Sequence, residues 1–324
     1  MSQIYPLKFQ PILVSKIWGG KKLKTLLKKE STGENIGESW EISAVKGHES
    51  IISNGAYAGK TITELISLLK SEIVGKHIYE KYQNEFPLLI KFIDANDDLS
   101  IQVHPDDALA AKKHQSKGKT EMWYVIEADE NATLFSGLKK EIGRDDVIAA
   151  LNDGSFTELL NMPAVKRGST FFIPAGRIHA IRKGILLAEI QQTSDITYRL
   201  YDYDRTDSNG KKRELHIEDS LEAINYKDTG SGEALYELKD NAFTKLAECD
   251  YFTTNLLHLN GTTHCDFTQR DSFTVLINSH GTASIKCNGM ETAFNCGETI
   301  LIPAALKQVE ISSDDAIILE TFIS

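Results

Sequence analysis

The sequence predicts a mainly β protein: two β-barrels or sandwiches in succession, with a small helical part. Three observations carry this. Residues 235–324 are almost all short β runs separated by turns, at 252–259, 273–277, 283–287, 299–302 and 316–322, and regular spacing of that kind belongs to all-β units. A faint internal repeat links the halves. Gly168-Ser-Thr-Phe-Phe-Ile-Pro174 matches Gly297-Glu-Thr-Ile-Leu-Ile-Pro303 in spacing and character, and five residues past each proline stand His179 and Gln308. The length, 324 residues, suggests two domains. A glycine-containing stretch at 228–233 divides them into a first unit over 1–230 and a second over 235–324.

Along the first unit, residues 1–60 read as strands and turns. Pro6 to Val14 is extended, Trp18-Gly19-Gly20 marks a turn, 21–29 form a short basic helix, and Gly37-Glu-Ser-Trp-Glu-Ile-Ser43 is a strand. A helix covers 61–69, capped by Thr61 or Thr63, and the helical part continues to 82. Pro87-Leu-Leu-Ile-Lys-Phe-Ile-Asp94 returns to strand, and an acidic turn over 94–98 leads into the next. Asp106 and Asp107 resemble metal ligands. They are better placed opening a helix over 107–114, where a carboxylate meets free backbone N–H groups. Further helical pieces fall at 145–152, 156–160 and 216–225, β structure resumes at 165, and 206–213 form a polar turn.

The net charge of −10 makes the surface as a whole repel nucleic acid and anionic membranes. No apolar run approaches membrane-spanning length, and the first residues lack a signal peptide's apolar core. The four cysteines, Cys249, Cys265, Cys287 and Cys296, form no C-x-x-C pair. They are expected to be reduced thiols of a cytoplasmic protein.

The chemistry gathers in two stretches, Leu99-Ser-Ile-Gln-Val-His-Pro-Asp-Asp107 followed by Lys119-Thr-Glu-Met-Trp-Tyr-Val125, and Gly168 to Ile181. Gln102 and His104 are two apart in an extended run, so a strand points both to one face. Glu121 opens a second strand, and His179 follows a β run and a Pro-Ala-Gly turn. Imidazole, carboxylate and amide oxygen suit zinc or a neighbouring first-row metal. Any one of these residues alone is more often a satisfied strand histidine or a solvated carboxylate; all four in this arrangement point to a metal. Lys119, two residues before Glu121, faces the same pocket. In the repeat, Glu121 falls opposite Ser272 and His179 opposite Gln308, so the second unit keeps the frame without the ligands. Its expected role is structural or substrate-limiting.

A glycine, five residues, a proline, then a glycine and a histidine resemble the second signature of the cupin superfamily. The Gln-x-His … Glu segment stands where that family has His-x-His … Glu. Together they resemble type I mannose-6-phosphate isomerases, in their short bacterial form, over roughly residues 5–225. Lys119-Thr-Glu121-Met122 carries the family's Lys-x-Glu-Met run. Ser194-Asp195-Ile-Thr-Tyr-Arg199 carries its Ser-Asp-x-x-x-Arg segment, with Glu189 ten residues before Arg199. The resemblance implies cupin-type jelly-roll barrels and one Zn2+ per chain on Gln102, His104, Glu121 and His179, other first-row divalent metals being alternatives. It also implies interconversion of mannose 6-phosphate and fructose 6-phosphate through an enediol.

Glu189, Lys119 and His104 are then candidates for the proton-transfer base. Arg199 stabilises charge on the enediolate or the phosphate, or else pairs with Asp195 or Asp202. Arg177, Arg182 and Lys183 offer a basic patch for a sugar phosphate, or a solvated loop. Trp18 and Trp40 wall a sugar site or pack in the core. The chain departs from the family at Ile181, where many members have tyrosine, and at Leu200-Tyr-Asp-Tyr-Asp-Arg205, where the longer enzymes have Ala-Gly. Both departures bear on substrate orientation. Two other functions fit the motifs: a metal-dependent cupin oxygenase, which Gln102 in place of a third histidine disfavours, and a sugar-binding cupin without turnover.

Overall fold

The computed structural model describes residues 4–30, 33–206 and 210–324; part of the polar turn expected at 206–213 lies outside them. In the first unit a six-stranded sheet runs in the order Ile12–Gly20, Ile36–Ile42, Leu88–Ala95, Ile185–Gln192, Glu121–Ala128, Thr170–Ile173. A four-stranded sheet runs Tyr198–Tyr201, Ile101–Val103, His179–Ile181, Leu134–Ser136. Trp18, Ile93, Trp123, Val125 and Leu187 of the larger sheet share one buried cluster with Leu134 and Ile181 of the smaller. The two inner faces therefore pack on each other, as in a β-sandwich.

The period of two assigns each side chain its face. On Leu88–Ala95, Leu88, Ile90 and Phe92 point outward, and so do Met122, Tyr124 and Ile126, and Leu186, Ala188 and Ile190, on the strands beyond. Their neighbours Lys91, Ile93 and Glu189 line an inner cleft. All these strands are buried on both faces, which explains why they read as near-continuous apolar runs.

The outward face packs on helix Ile62–Leu69, on the short helices Ser71–Val74 and Lys76–Tyr82, and on Phe273, Val275, Leu301 and Leu319 of the second unit. Thr61 is the cap: its Oγ1 accepts from Glu64 N at 3.2 Å, and Glu64 returns a bond to Thr61 N at 2.8 Å. The helix expected to run on to 82 is interrupted at Gly75, where φ is +100° and a Cβ would meet the Asp271 carbonyl oxygen at 2.2 Å. Helix Asp107–His114 starts on Asp106, whose carboxylate accepts from Leu109 N, so this aspartate caps rather than ligates.

The second unit is a seven-stranded sheet, and it takes in the N-terminal strand Leu7–Lys8, paired to Leu301 and Ile300. Three of its strands, Thr253–Asp266, Thr274–Cys287 and Gln308–Phe322, are longer than the runs read from sequence. The polar breaks at 260–262 and 278–282 are not turns. They are register shifts within continuous strands, and Gly281 there lies with φ +75° against Asp315 O.

Candidate metal centre and cleft

Sheet register builds the site. Trp40 stands opposite Lys91, Lys91 opposite Glu189, and Glu189 opposite Trp123, one row across four strands. One step along, Glu121 stands opposite Gln191. On the facing sheet Gln102 stands between His179 and Arg199. The two signature stretches are tied directly: Gly176 N donates to His104 O at 2.9 Å. Gly176 adopts φ +87°, and a Cβ there would crowd Ala223 O and Asn225.

The ligand atoms of His104, Glu121 and His179 lie within 4.8 Å of one another, and all three residues are buried. His104 Nε2 is 3.5 Å from Glu121 Oε2, and His179 Nε2 is 3.4 Å from Oε1. Each imidazole donates its Nδ1–H to a backbone carbonyl, Ile196 at 3.0 Å and Arg177 at 2.8 Å. That fixes the tautomer and turns both Nε2 lone pairs inward, as metal-ligating histidines require. The Gln102 amide ends 3.2 Å from His179 Nε2, and a half-turn of the amide brings its oxygen to the same place. His104 Nε2 and both Glu121 oxygens are enclosed yet lack an aligned hydrogen-bond partner. Buried polar atoms normally have one, and a divalent cation would satisfy all three.

The electrostatics agree. Burial first, then Lys119, pushes the His104 imidazole well below its usual range, and burial brings His179 down to about 3. Both are therefore neutral, the ligating form. Burial, with Glu189 next, pushes Glu121 up to about 7 against the pull of Lys119 and Lys91, so a cation beside it would be strongly stabilising. Lys119 Nζ sits 3.2 Å from Glu121 Oε2.

Beside this cluster lies a cleft of ≈ 450 Å³ lined by Trp18, Trp40, Gln102, Lys119, Ile181, Glu189 and Arg199 among others; of these, Gln102 reaches His179 and Lys119 reaches Glu121. Glu189 takes the Trp123 indole N–H at 3.0 Å and faces Lys91 Nζ at 3.2 Å. Burial would raise its pKa, but Lys91, Lys119 and Trp123 prevail and hold it ionised. Trp18 and Trp40 line the cleft while also buried. Arg199 donates to Ser100 Oγ at 3.2 Å and to Glu214 O at 2.8 Å, and among the described residues pairs with neither Asp195 nor Asp202. The basic patch around His179 does not face the cleft. Arg177 grips Asp228 bidentately and Arg182 pairs with Asp98, while Lys183 lines a separate depression. The cleft's cations are instead Lys16, Lys91, Lys119, Arg199 and Arg213.

The family model of the catalytic domain of type I phosphomannose isomerase matches residues 7–133, and that of the mannose-6-phosphate isomerase cupin domain matches 242–321. Over 315 residues the chain is 35% identical to the mannose-6-phosphate isomerase of Streptococcus mutans, covering 97% of each. The chain belongs to the type I phosphomannose isomerase family. Mannose-6-phosphate isomerase ManA of Bacillus subtilis is 34% identical over 94% of this chain and 95% of its own. The crystal structure of the mannose 6-phosphate isomerase from Bacillus subtilis has a TM-score of 0.88 at 31% identity, covering 98% and 99%.

In this member of the family, the sequence reading missed Lys16, Glu38, Lys91 and Arg213. Lys91 carried a signal: a lone lysine inside an apolar strand must bury its charge against carboxylates. Glu38 alternates with Trp40 on Ile36–Ile42 and shares the inward face. Nothing local marked Arg213.

Proposed function

We propose that the protein interconverts mannose 6-phosphate and fructose 6-phosphate, with one zinc ion held by Gln102, His104, Glu121 and His179. The observation that carries this is the set of buried ligand atoms without aligned hydrogen-bond partners beside a cleft that holds Lys119, Glu189 and Arg199, in a chain of this family. The N/O donor set suits zinc. Bound there, the ion would polarise the sugar's C1 and C2 oxygens and stabilise negative charge developing on them.

Glu189 carries the proton between C2 and C1. It is ionised, Trp123 fixes its direction, and Oε1 has no aligned donor, which supports an acceptor role. His104 does not serve as base: its Nδ1–H donates to Ile196 O, and the remaining Nε2 lone pair is the one that would be spent on the metal. Lys119 donates to the sugar oxygens from beside Glu121. Arg199, which forms no ion pair among the described residues, offers its guanidinium to negative charge. Trp18 and Trp40 pack on the sugar's C–H face. The substrate is a small sugar phosphate. Four free thiols support a reducing cytoplasmic setting. The relatives' names favour neither the oxygenase nor a binding protein.

The test is a coupled assay of fructose 6-phosphate formed from mannose 6-phosphate, before and after chelation, with zinc added back. Activity lost on chelation and restored by zinc is expected. No turnover in metal-loaded protein would refute the reading for this substrate.

A further inference from the structure

The segment after Arg199, where the sequence departs from the longer enzymes, builds a second arginine into the cleft. Asp202 is buried and holds two guanidinium groups. Arg205 Nη2 donates to its Oδ1 at 2.6 Å, Arg213 Nε donates to Oδ2 at 2.7 Å, and Arg213 Nη2 donates to Oδ1. Tyr203 and Asp204, between them, both take left-handed backbone, φ +54° and +55°. Two such residues in a row cost roughly 1–2 kcal/mol each, so the carboxylate clamp holds a strained turn in place. Arg205 reaches on to Asp97 Oδ2 at 3.3 Å and to Asp98 O, anchoring the loop. Arg213 has no second carboxylate among the described residues. Asp202 occupies one edge of its fork, Nη1 has no hydrogen-bond partner among the described residues, and Arg213 lines the cleft together with Lys16, Ser100 and Arg199.

Charge is distributed unevenly between floor and rim. On the floor, Lys119 faces Glu121 and Lys91 faces Glu189, and Lys16 above them faces Glu38 at 3.1 Å. On the rim, Arg199 forms no ion pair among the described residues, and Arg213 shares Asp202 with Arg205. Asp195 is the exposed rim carboxylate and pairs with neither. After burial, the nearness of Arg213 is the next influence lowering the Arg199 pKa, a sign that positive charge accumulates there. A sugar phosphate whose carbonyl end lies over the ligand cluster must direct its dianion away from Glu121 and Glu189, toward this rim.

We propose that Arg213 is a substrate-binding residue that takes the phosphate of the sugar on its free guanidinium edge, with Arg199 beside it. Planar, always charged and pre-oriented by Asp202, it suits a phosphoryl group. The proposal rests on the isomerase reading above.

The test uses the metal-loaded full chain and the variants Arg213→Ala and Arg213→Gln. KM for mannose 6-phosphate and the inhibition constant of inorganic phosphate should both rise about tenfold or more, the loss of a charge-assisted pair. The kcat should change less than about threefold and metal content not at all, since uniform binding is what is removed. If Arg213→Ala fails to fold, Arg213→Gln, which keeps a hydrogen bond to Asp202, decides by the same readings. KM and phosphate inhibition within about twofold of the parent would overturn the proposal, as would a fall in kcat with KM unchanged. Should the parent not turn over mannose 6-phosphate, the isomerase reading fails on its own. Calorimetric binding of inorganic phosphate to parent and variant then still decides the role of Arg213.

Discussion

Lys29 and Lys91 are both buried lysines facing carboxylates of the same sheet, yet they do different work. Lys29 donates to Glu41 Oε2 at 2.8 Å and to Gly297 O at 2.6 Å, its ammonium lies over the Phe92 ring, and Ser39 donates to Glu41 Oε1 at 2.6 Å. Both carboxylate oxygens are used, and the cluster joins the first unit to the second. Lys91 sits on the opposite face of the sheet among Glu189, Glu38 and, farther off, Glu121. There Glu189 Oε1, both Glu121 oxygens and His104 Nε2 remain without aligned partners. A buried charge is therefore no mark of function by itself. A buried charge beside unsatisfied atoms at a cleft is one.

The largest effect should come from the unsatisfied side. His104→Ala, Glu121→Ala and His179→Ala are expected to lose bound metal and to lower kcat on the order of 100-fold or more, beyond the usual cost of an outer-shell change. Gln308→Ala, at the position matching His179 in the second unit, should leave both unchanged. Metal analysis beside turnover checks this, and full metal content in all three ligand variants would sink the assignment. Next, Lys91→Met should lower kcat about 10–100-fold, the worth of a hydrogen bond to a charged group, with metal retained. A normal kcat would mean that Glu189 needs no cation beside it.

The satisfied side should respond in stability. Lys29→Met leaves the Glu41 charge buried and unpaired, which costs about 3–5 kcal/mol, read as a lower urea midpoint with kcat preserved. Adding Glu41→Leu should recover much of the loss, because a pair removed whole is cheaper than a pair broken. A single variant as stable as the parent would show that the pair contributes nothing across the junction.

How much of this was legible in sequence follows the same division. The cluster of His104, Glu121 and His179 was readable because two short motifs fix it locally: residues two apart share a strand face, and a Pro-Ala-Gly turn returns the chain to His179. The Asp106 cap and the 107–114 helix were readable for the same reason. Lys91 and Glu38 reach the site only through cross-strand register, which pairs residues 98 positions apart at Lys91 and Glu189, and no local pattern encodes that. Arg213 depends on a buried aspartate 11 positions away and on two left-handed residues that are not glycine. The long strands of the second unit were cut too short because polar residues at register shifts resemble turns.

The smallest expected effect sets a histidine near the surface against the two buried beside the cleft. His258 lies between Asp240, 2.7 Å from Nδ1, and Asp315, 3.0 Å from Nε2. Those contacts raise its pKa against a mild opposing effect of burial, whereas burial drives His104 and His179 down. The folded value exceeds the unfolded one, so in the intervening pH range the folded state binds the extra proton. The contribution is thus complete below about pH 6.5, the unfolded value, and is lost as pH rises through the folded one. The aspartates are 75% and 60% exposed, so water and salt screen the pairs and the gain is under about 1 kcal/mol. A His258→Gln variant should melt below the parent in mildly acidic buffer, and the gap should close at alkaline pH and shrink in high salt. A gap that is the same at both pH values would mean that the ring contributes by packing alone, and that the two aspartates hold no proton on it.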